Sequence, residues 1–260
     1  EEAVRMTAKV IRDVAADALV VVEAEHRPAL KRFSGEILPM VGGRPYDQVM
    51  LIDGNDPRGI DVGLFVRAPL TIGRMISNVD YRDKDGTVFD RDCPIFEVAL
   101  RDGQTLFILA NHFKSKSGIQ YIANERRRRQ AVAVAAIYRS LIASGARYVA
   151  VMGDLNDTPD SEPLKALIHE TDLQDVSDHP DFDDGTGGEY PGTYGGSTAR
   201  NKIDYVLLSP EAFKRVTGGG IFRMGMWPGK RKKKWPVYAE LTHEHLTASD
   251  HGAVYADLDL

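Results

Sequence analysis

Five apolar residues, Tyr148-Val149-Ala150-Val151-Met152, run into Gly153 and at once into the polar stretch Asp154-Leu155-Asn156-Asp157-Thr158-Pro159. A short apolar run rich in β-branched residues reads as a buried strand, so the chain must build a covered sheet. Asp154 and Asn156 are two apart, and in extended backbone their side chains leave the same face of the strand end. Thr158-Pro159-Asp160 then fits the opening of a helix, with Thr158 as N-cap and Pro159 at the first helical position. A carboxylate and an amide therefore sit at the carboxyl end of a buried strand, where α/β sheets tend to place their chemistry. Taken alone, the same residues also make an ordinary Asx turn between strand and helix.

Composition narrows what surrounds this strand. A chain of 260 residues, 43% hydrophobic, can bury one large core or two smaller ones. A formal net charge of −5 excludes a generally basic coat, so any polyanion has to be met by a local patch. The single cysteine, Cys93, excludes an internal disulfide framework and a multi-cysteine zinc site. No apolar run reaches the roughly 18 residues needed to span a bilayer, so no membrane partner is expected. Glu1-Glu2 is not the basic start of a signal peptide. The chain begins without Met and inside a helical pattern, which suggests a natural N-terminus further upstream; the compartment stays open.

Apolar spacing predicts a helix over 4–14, then a buried strand, Ala18 to Val22, ending in the acid Glu23. Arg27 to Leu38 has helical spacing with Pro28 near its start. Strand-like runs follow at Gln48 to Ile52, Asp61 to Arg67, Leu70 to Val79, Pro94 to Arg101 and Gln104 to His112, with Asp102-Gly103 as a hairpin signal. Ile119 to Ala143 is a long helix striped by Val134, Ile137, Tyr138, Leu141 and Ile142, and Gly145 stands where a C-terminal cap belongs. Asp172 to Gly196 reads as loop. Further strands are expected at Ile203 to Leu208, Phe213 to Arg223 and Ala253 to Leu260. Hairpins mixed with helices suggest two packed sheets with helices outside, in one domain over 1–260.

Polar groups recur at the ends of these strands: Glu23, His112, Asp154, Asn156, Asp204, Asp250 and His251. A carboxylate directly after an apolar strand is partly buried and needs a partner, often a cation, which applies to Glu23. Asp204 lies within an apolar strand against its propensity and is the most telling single residue. His112 on its own is as well explained as structural, and Ser249-Asp250-His251-Gly252 as a turn. Together they offer hard oxygen ligands (Glu23, Asp250), an Asp able to orient a histidine (Asp204 to His251) and a carboxylate–amide pair. These are parts for Mg²⁺- or Mn²⁺-assisted attack of water on a phosphate ester.

The motifs Asn111-His112-Phe113-Lys114-Ser115-Lys116, Gly153-Asp154-Leu155-Asn156, Lys202-Ile203-Asp204-Tyr205-Val206 and Ser249-Asp250-His251 stand in the order of the endonuclease/exonuclease/phosphatase superfamily. The chain resembles that superfamily, the group of deoxyribonuclease I and exonuclease III, over nearly its whole length. Asp17 to Glu25 is similar to its first acidic motif, although the Gln usual before the metal-binding Glu is Val22 here. The resemblance implies an α/β fold, a four-layer α/β/β/α sandwich with two packed mixed sheets, and divalent-metal-dependent phosphoester hydrolysis. It implies metal ligands at Glu23 and Asp250, with Asp154 orienting or deprotonating water and Asn156 holding a phosphate oxygen. His251, paired with Asp204, would bind the phosphate or move a proton, and His112 would stand near the leaving group. The superfamily's first core strand, with its metal-binding Asn, has no counterpart here, so weakened metal affinity and an open sheet edge are expected.

The Asn-His-Phe-Lys-Ser-Lys form resembles bacterial extracellular nucleases, which points to a phosphodiester in DNA or RNA. Lys114, Lys116 and Arg58 are the candidate phosphate contacts. The run Lys230 to Lys234 between Trp227 and Trp235 either grips a backbone and stacks bases or is a solvated loop. Arg126 to Arg129 reads as the solvated face of the long helix, and Asp181 to Gly185 as a loop without a calcium-ligand pattern. The alternatives are a phosphomonoesterase, a lipid-type phosphodiesterase on the same scaffold, or a non-catalytic binding fold.

Overall fold

A computed structural model describes residues 2–229 and 234–260, so the lysine-rich run 230–233 lies outside the described residues. Apart from a small hairpin of Arg82–Asp83 and Gly86–Thr87, the strands are β1 (Ala18–Ala24), β2 (Gln48–Leu51), β3 (Asp61–Val66), β4 (Thr71–Ile76), β5 (Ile95–Ala99) and β6 (Thr105–His112) in the first half. The second half adds β7 (Tyr148–Asp154), β8 (Gln174–Asp175), β9 (Phe182–Asp183), β10 (Asp204–Leu208), β11 (Val216–Phe222) and β12 (Ala253–Leu258). The main helices are α1 (Glu2–Val14), α2 (Arg27–Arg32) and α3 (Gln120–Ala143).

One sheet has six strands in the order β8-β10-β7-β6-β5-β4, with β6 and β7 parallel and the other pairs antiparallel. Against it packs a second layer divided into two three-stranded sheets, β2-β3-β1 and β9-β11-β12. Side-chain alternation along each strand assigns the faces. In β7, Val149 and Val151 face α3 through Val134 and Tyr138, while Tyr148 and Ala150, with Val206 and Leu208 of β10, face the second layer through Val62, Leu64 and Val66 of β3. In β1, Val20 and Val22 join that inter-sheet core, while Leu19 and Val21 turn outward to α1 and α2 with Ala8, Ile11 and Leu30. Helix, sheet, sheet and helix give the four layers expected of an α/β/β/α sandwich. No helix among the described residues is long and apolar enough to cross a membrane.

Several local expectations change. Thr158-Pro159 does not open a helix: the Thr158 hydroxyl bonds the Asp160 carboxylate, and helical turns begin only at Glu162–Leu164 and Lys165–Ile168. The supposed loop Asp172 to Gly196 contributes two short strands, β8 and β9, each attached to a sheet edge, and β9 takes Phe182 and Asp183 from the stretch read as plain loop. Asp204 is the first residue of β10 rather than an interior one. In the long helix, Arg127 is fully buried, not solvated. Arg126, Arg128 and Arg129 pair with Asp90, Glu125 and Asp83. Trp235 is 5% exposed and its indole N–H donates to the Met226 carbonyl, so it offers no ring for stacking a base.

Candidate active site

The register of three adjacent strands builds the site. His112 ends β6, Asp154 ends β7 and Asp204 begins β10; His112 lies opposite Asp154, and Asp154 opposite Asp204. In-register neighbours project to one face of a sheet, so three polar side chains line up at one end of the six-stranded sheet. Gly153 makes the approach possible. It has φ +127°, and a Cβ there would lie 2.0 Å from the Asn111 carbonyl oxygen, so only glycine lets β7 close on β6 at this point. His251 arrives from the far side, held by a bridge to Tyr194 just before β12.

Asp204 accepts from His251 Nδ1 at 3.0 and 2.9 Å through its two oxygens, and from the Thr193 hydroxyl at 2.5 Å. Burial works against charge on His251, but the Asp204 hydrogen bond and the carboxylates of Asp204, Asp154 and Asp250 prevail and raise its pKa to about 9. With Nδ1 committed to Asp204, Nε2 is left to donate to a ligand. Asp154 is pushed well above the usual carboxylate range by burial and then by Asp204. Its Oδ1 accepts from the Asn156 backbone N–H at 2.8 Å and its Oδ2 from the Asn156 side-chain amide at 2.9 Å.

His112 is 6% exposed, and its Nε2 lies 3.6 Å from Asp154 Oδ2. Burial first, then the positive charges of Arg91, His251 and Arg58, lower its pKa to about 3, so it is neutral at physiological pH. Asn156, at φ +56°, uses both amide protons internally, on Asp154 and on the Phe113 carbonyl at 3.0 Å. In this arrangement it orients Asp154; holding a phosphate oxygen through that amide would require one of these bonds to open.

Glu23 is exposed rather than partly buried. The β1–β3 register slips between Val21 and Ala24, and Glu23 at φ +57° turns out of the sheet. Asp250 is also exposed, with His251 Nε2 at 3.9 Å. Among the described residues, the one group of three His, Cys, Asp or Glu side chains with ligand atoms within 4.8 Å is Asp154, Asp204 and His251. A protonated His251 offsets one of the two carboxylates of that group, and Asp204 is engaged by both His251 and Thr193. Glu23 and Asp250 lie outside that group, and their carboxylates are of the hard-oxygen type that a Mg²⁺-type ion takes.

Of the expected substrate contacts, Lys114 meets the hydroxyls of Ser115 and Ser117, at 3.4 and 3.3 Å. Lys116 is paired with Asp157 at 2.7 Å, and Arg58 with Asp56 at 2.8 Å. Buried Arg127 also binds Asp157, at 3.0 Å, and the Lys114 carbonyl, pinning the loop after His112. Thr193, Tyr194, Asp157, Arg127 and Arg91 were not legible as site residues, because their roles come from contacts between segments far apart in the chain.

Several solved structures share this fold at low identity. The mannosyl-6-phosphatase of Bacteroides thetaiotaomicron is 17% identical, with TM-score 0.70 over 99% of this chain and 90% of its own. Truncated Caenorhabditis elegans TDP2 is 16% identical, with TM-score 0.63 over 97% and 88%. The human nocturnin catalytic domain with bound sulfate is 16% identical, with TM-score 0.58 over 81% and 76%. No curated protein sequence matches the chain. The sequence profile of the Endonuclease/Exonuclease/phosphatase family spans residues 4–251, from α1 to His251 itself. With its profile matched across almost the entire length, this chain belongs to the Endonuclease/Exonuclease/phosphatase family.

Proposed function

We propose that this protein is a divalent-metal-dependent phosphoester hydrolase whose attacking water is positioned and deprotonated by Asp154. The observation that carries the reading is the row His112–Asp154–Asp204 with His251 locked onto Asp204. A carboxylate raised by burial is a better base for water than an ordinary one. The charged Nε2–H of His251 can bind a non-bridging phosphate oxygen and stabilise the charge that grows there. Asp204 and Thr193 fix the ring for that task. Neutral His112 is placed to share a proton with Asp154 or the leaving oxygen. Glu23 and Asp250 would hold the metal, which would supply Lewis-acid polarisation of the phosphate.

A small phosphoester suits the site better than a polynucleotide. Among the described residues, the cations flanking the site are largely spent on carboxylates: Arg58 on Asp56, Lys116 and Arg127 on Asp157, Arg126 on Asp90. A nucleic-acid track needs cations available to phosphates, and the buried Trp235 removes a stacking platform. The family relative named as a mannosyl-6-phosphatase is consistent with a small phosphomonoester. Parallel assays of p-nitrophenyl phosphate, bis-p-nitrophenyl phosphate and plasmid DNA, each with Mg²⁺, Mn²⁺ or EDTA, test this. Metal-dependent turnover of the small esters above DNA is expected; efficient plasmid nicking would restore the nuclease reading, and no turnover with any metal would leave a binding fold.

A further inference from the structure

Phe113 follows His112 and lies beside the site through its backbone. Its N–H donates to the Asp154 carbonyl at 2.9 Å, and its carbonyl accepts the Asn156 side-chain amide at 3.0 Å. The same carbonyl accepts a second donor, Arg91 Nη2, at 2.6 Å. Arg91 is 2% exposed, and its other terminal nitrogen meets Asp56 Oδ2 at 3.1 Å. Asp56 is itself buried at its carboxylate and bonded to Arg58 through both oxygens. A buried guanidinium forked between one carboxylate and one carbonyl has its orientation set by those two partners.

We propose that Asp56 and Arg91 form a positioning clasp that fixes the Phe113 carbonyl and, through it, the Asn156 amide and the Asp154 carboxylate. Arg91 touches no reacting atom; it acts by holding the acceptor that Asn156 needs. Asn156 stands at φ +56°, a conformation an ordinary residue adopts at a cost, and its amide bonds to Phe113 and Asp154 are what keep it there. Without Arg91 the Phe113 carbonyl would lose one of its two donors, and the Asn156 amide would lose the fixed acceptor that directs its second proton to Asp154. The loop carrying Asp56 thus reaches the site without lining it. Arg58, on the exposed side of Asp56, is held at the surface by the same carboxylate.

The proposal rests on the hydrolase reading only for the importance of Asn156, so its test has a readout independent of turnover. The side-chain amide pair of Asn156 is assigned in a ¹H–¹⁵N spectrum by its loss in Asn156→Ala, then followed in Arg91→Gln, Arg91→Lys and Asp56→Asn. Loss or collapse of that pair in Arg91→Gln is expected, with kcat down at least tenfold and KM within about twofold. Arg91→Lys keeps the charge but cannot fork between Asp56 and Phe113, so it should restore neither. Asp56→Asn, close in shape, should give the same spectral change in milder form and serves if Arg91→Gln does not fold. An unchanged Asn156 pair in the folded Arg91 or Asp56 variants would overturn the clasp, as would full rescue by Arg91→Lys. A protein with no turnover on any ester but with the expected amide changes would instead refute the hydrolase reading alone.

Discussion

Two histidines border Asp154, and they are driven to opposite charge states. His251 faces the carboxylates of Asp204, Asp154 and Asp250 and is raised to about 9; His112 faces Arg91 and Arg58 in a buried pocket and is lowered to about 3. Burial opposes charge on both, so burial alone does not explain the divergence. At His112 burial, the largest influence, is reinforced by the cations, whereas at His251 the Asp204 hydrogen bond and the carboxylates overcome it, which leaves one cationic and one neutral ring beside Asp154.

The largest expected effect comes from removing the group between them. Asp154→Ala should lower kcat by about 10²–10⁴-fold, measured under saturating substrate with Mg²⁺ or Mn²⁺, since it removes the base and the residue that both histidines border. Next is Asp204→Asn. It removes the hydrogen bond and charge that raise His251, so at pH 8 the charged fraction of that ring should drop by roughly 30-fold if its pKa returns from about 9 toward 6.5. Activity of this variant should then fall off from near pH 6.5, where the parent protein holds to about pH 9. A pH–rate profile identical to the parent's would show that His251 charge is not used.

His112→Gln should matter less for turnover and more for acid stability. A histidine lowered on folding is neutral in the native state, while the unfolded chain binds a proton below about pH 6.5. Its contribution is therefore present above pH 6.5 and lost at about 1.4 kcal/mol per pH unit as pH falls from 6.5 toward 3. Urea midpoints of the parent between pH 7 and 4 should carry that slope, and His112→Gln should flatten it. Smallest is Lys116→Ala, whose Asp157 partner keeps Arg127: a change within about 1 kcal/mol in stability and a modest rise in KM are expected.

How much of this was readable in the chain follows from where each signal lies. The runs ending at His112 and Met152 and the start of β10 are local patterns, and sheet register turned their adjacency in the fold into the row of His112, Asp154 and Asp204. The Asp204–His251 pair was also anticipated. Glu23 was expected to be partly buried because apolar residues precede it, but a bulge at β1 reverses where its side chain points, and nothing in five apolar residues announces a bulge. Arg127 sat in a run of four arginines that reads as solvated, and its burial is explained by partners that include Asp157, thirty positions away, and the Lys114 carbonyl. Thr158-Pro159 carried helix-opening residues, yet the hydroxyl found Asp160 instead of a backbone N–H. Local propensity located the strands; long-range electrostatics decided which side chains do chemistry.

One measurement bears most directly on the opposed charge states of the two rings: long-range ¹H–¹⁵N correlation spectra of the imidazole rings between pH 5 and 10, assigned with His251→Ala and His112→Gln. At pH 7, His251 should show both ring nitrogens protonated and begin to titrate only near pH 9, while His112 should show a single neutral tautomer down to pH 5. Two rings titrating together near pH 6.5 would contradict the charge division and, with it, the role given to His251 at the phosphate.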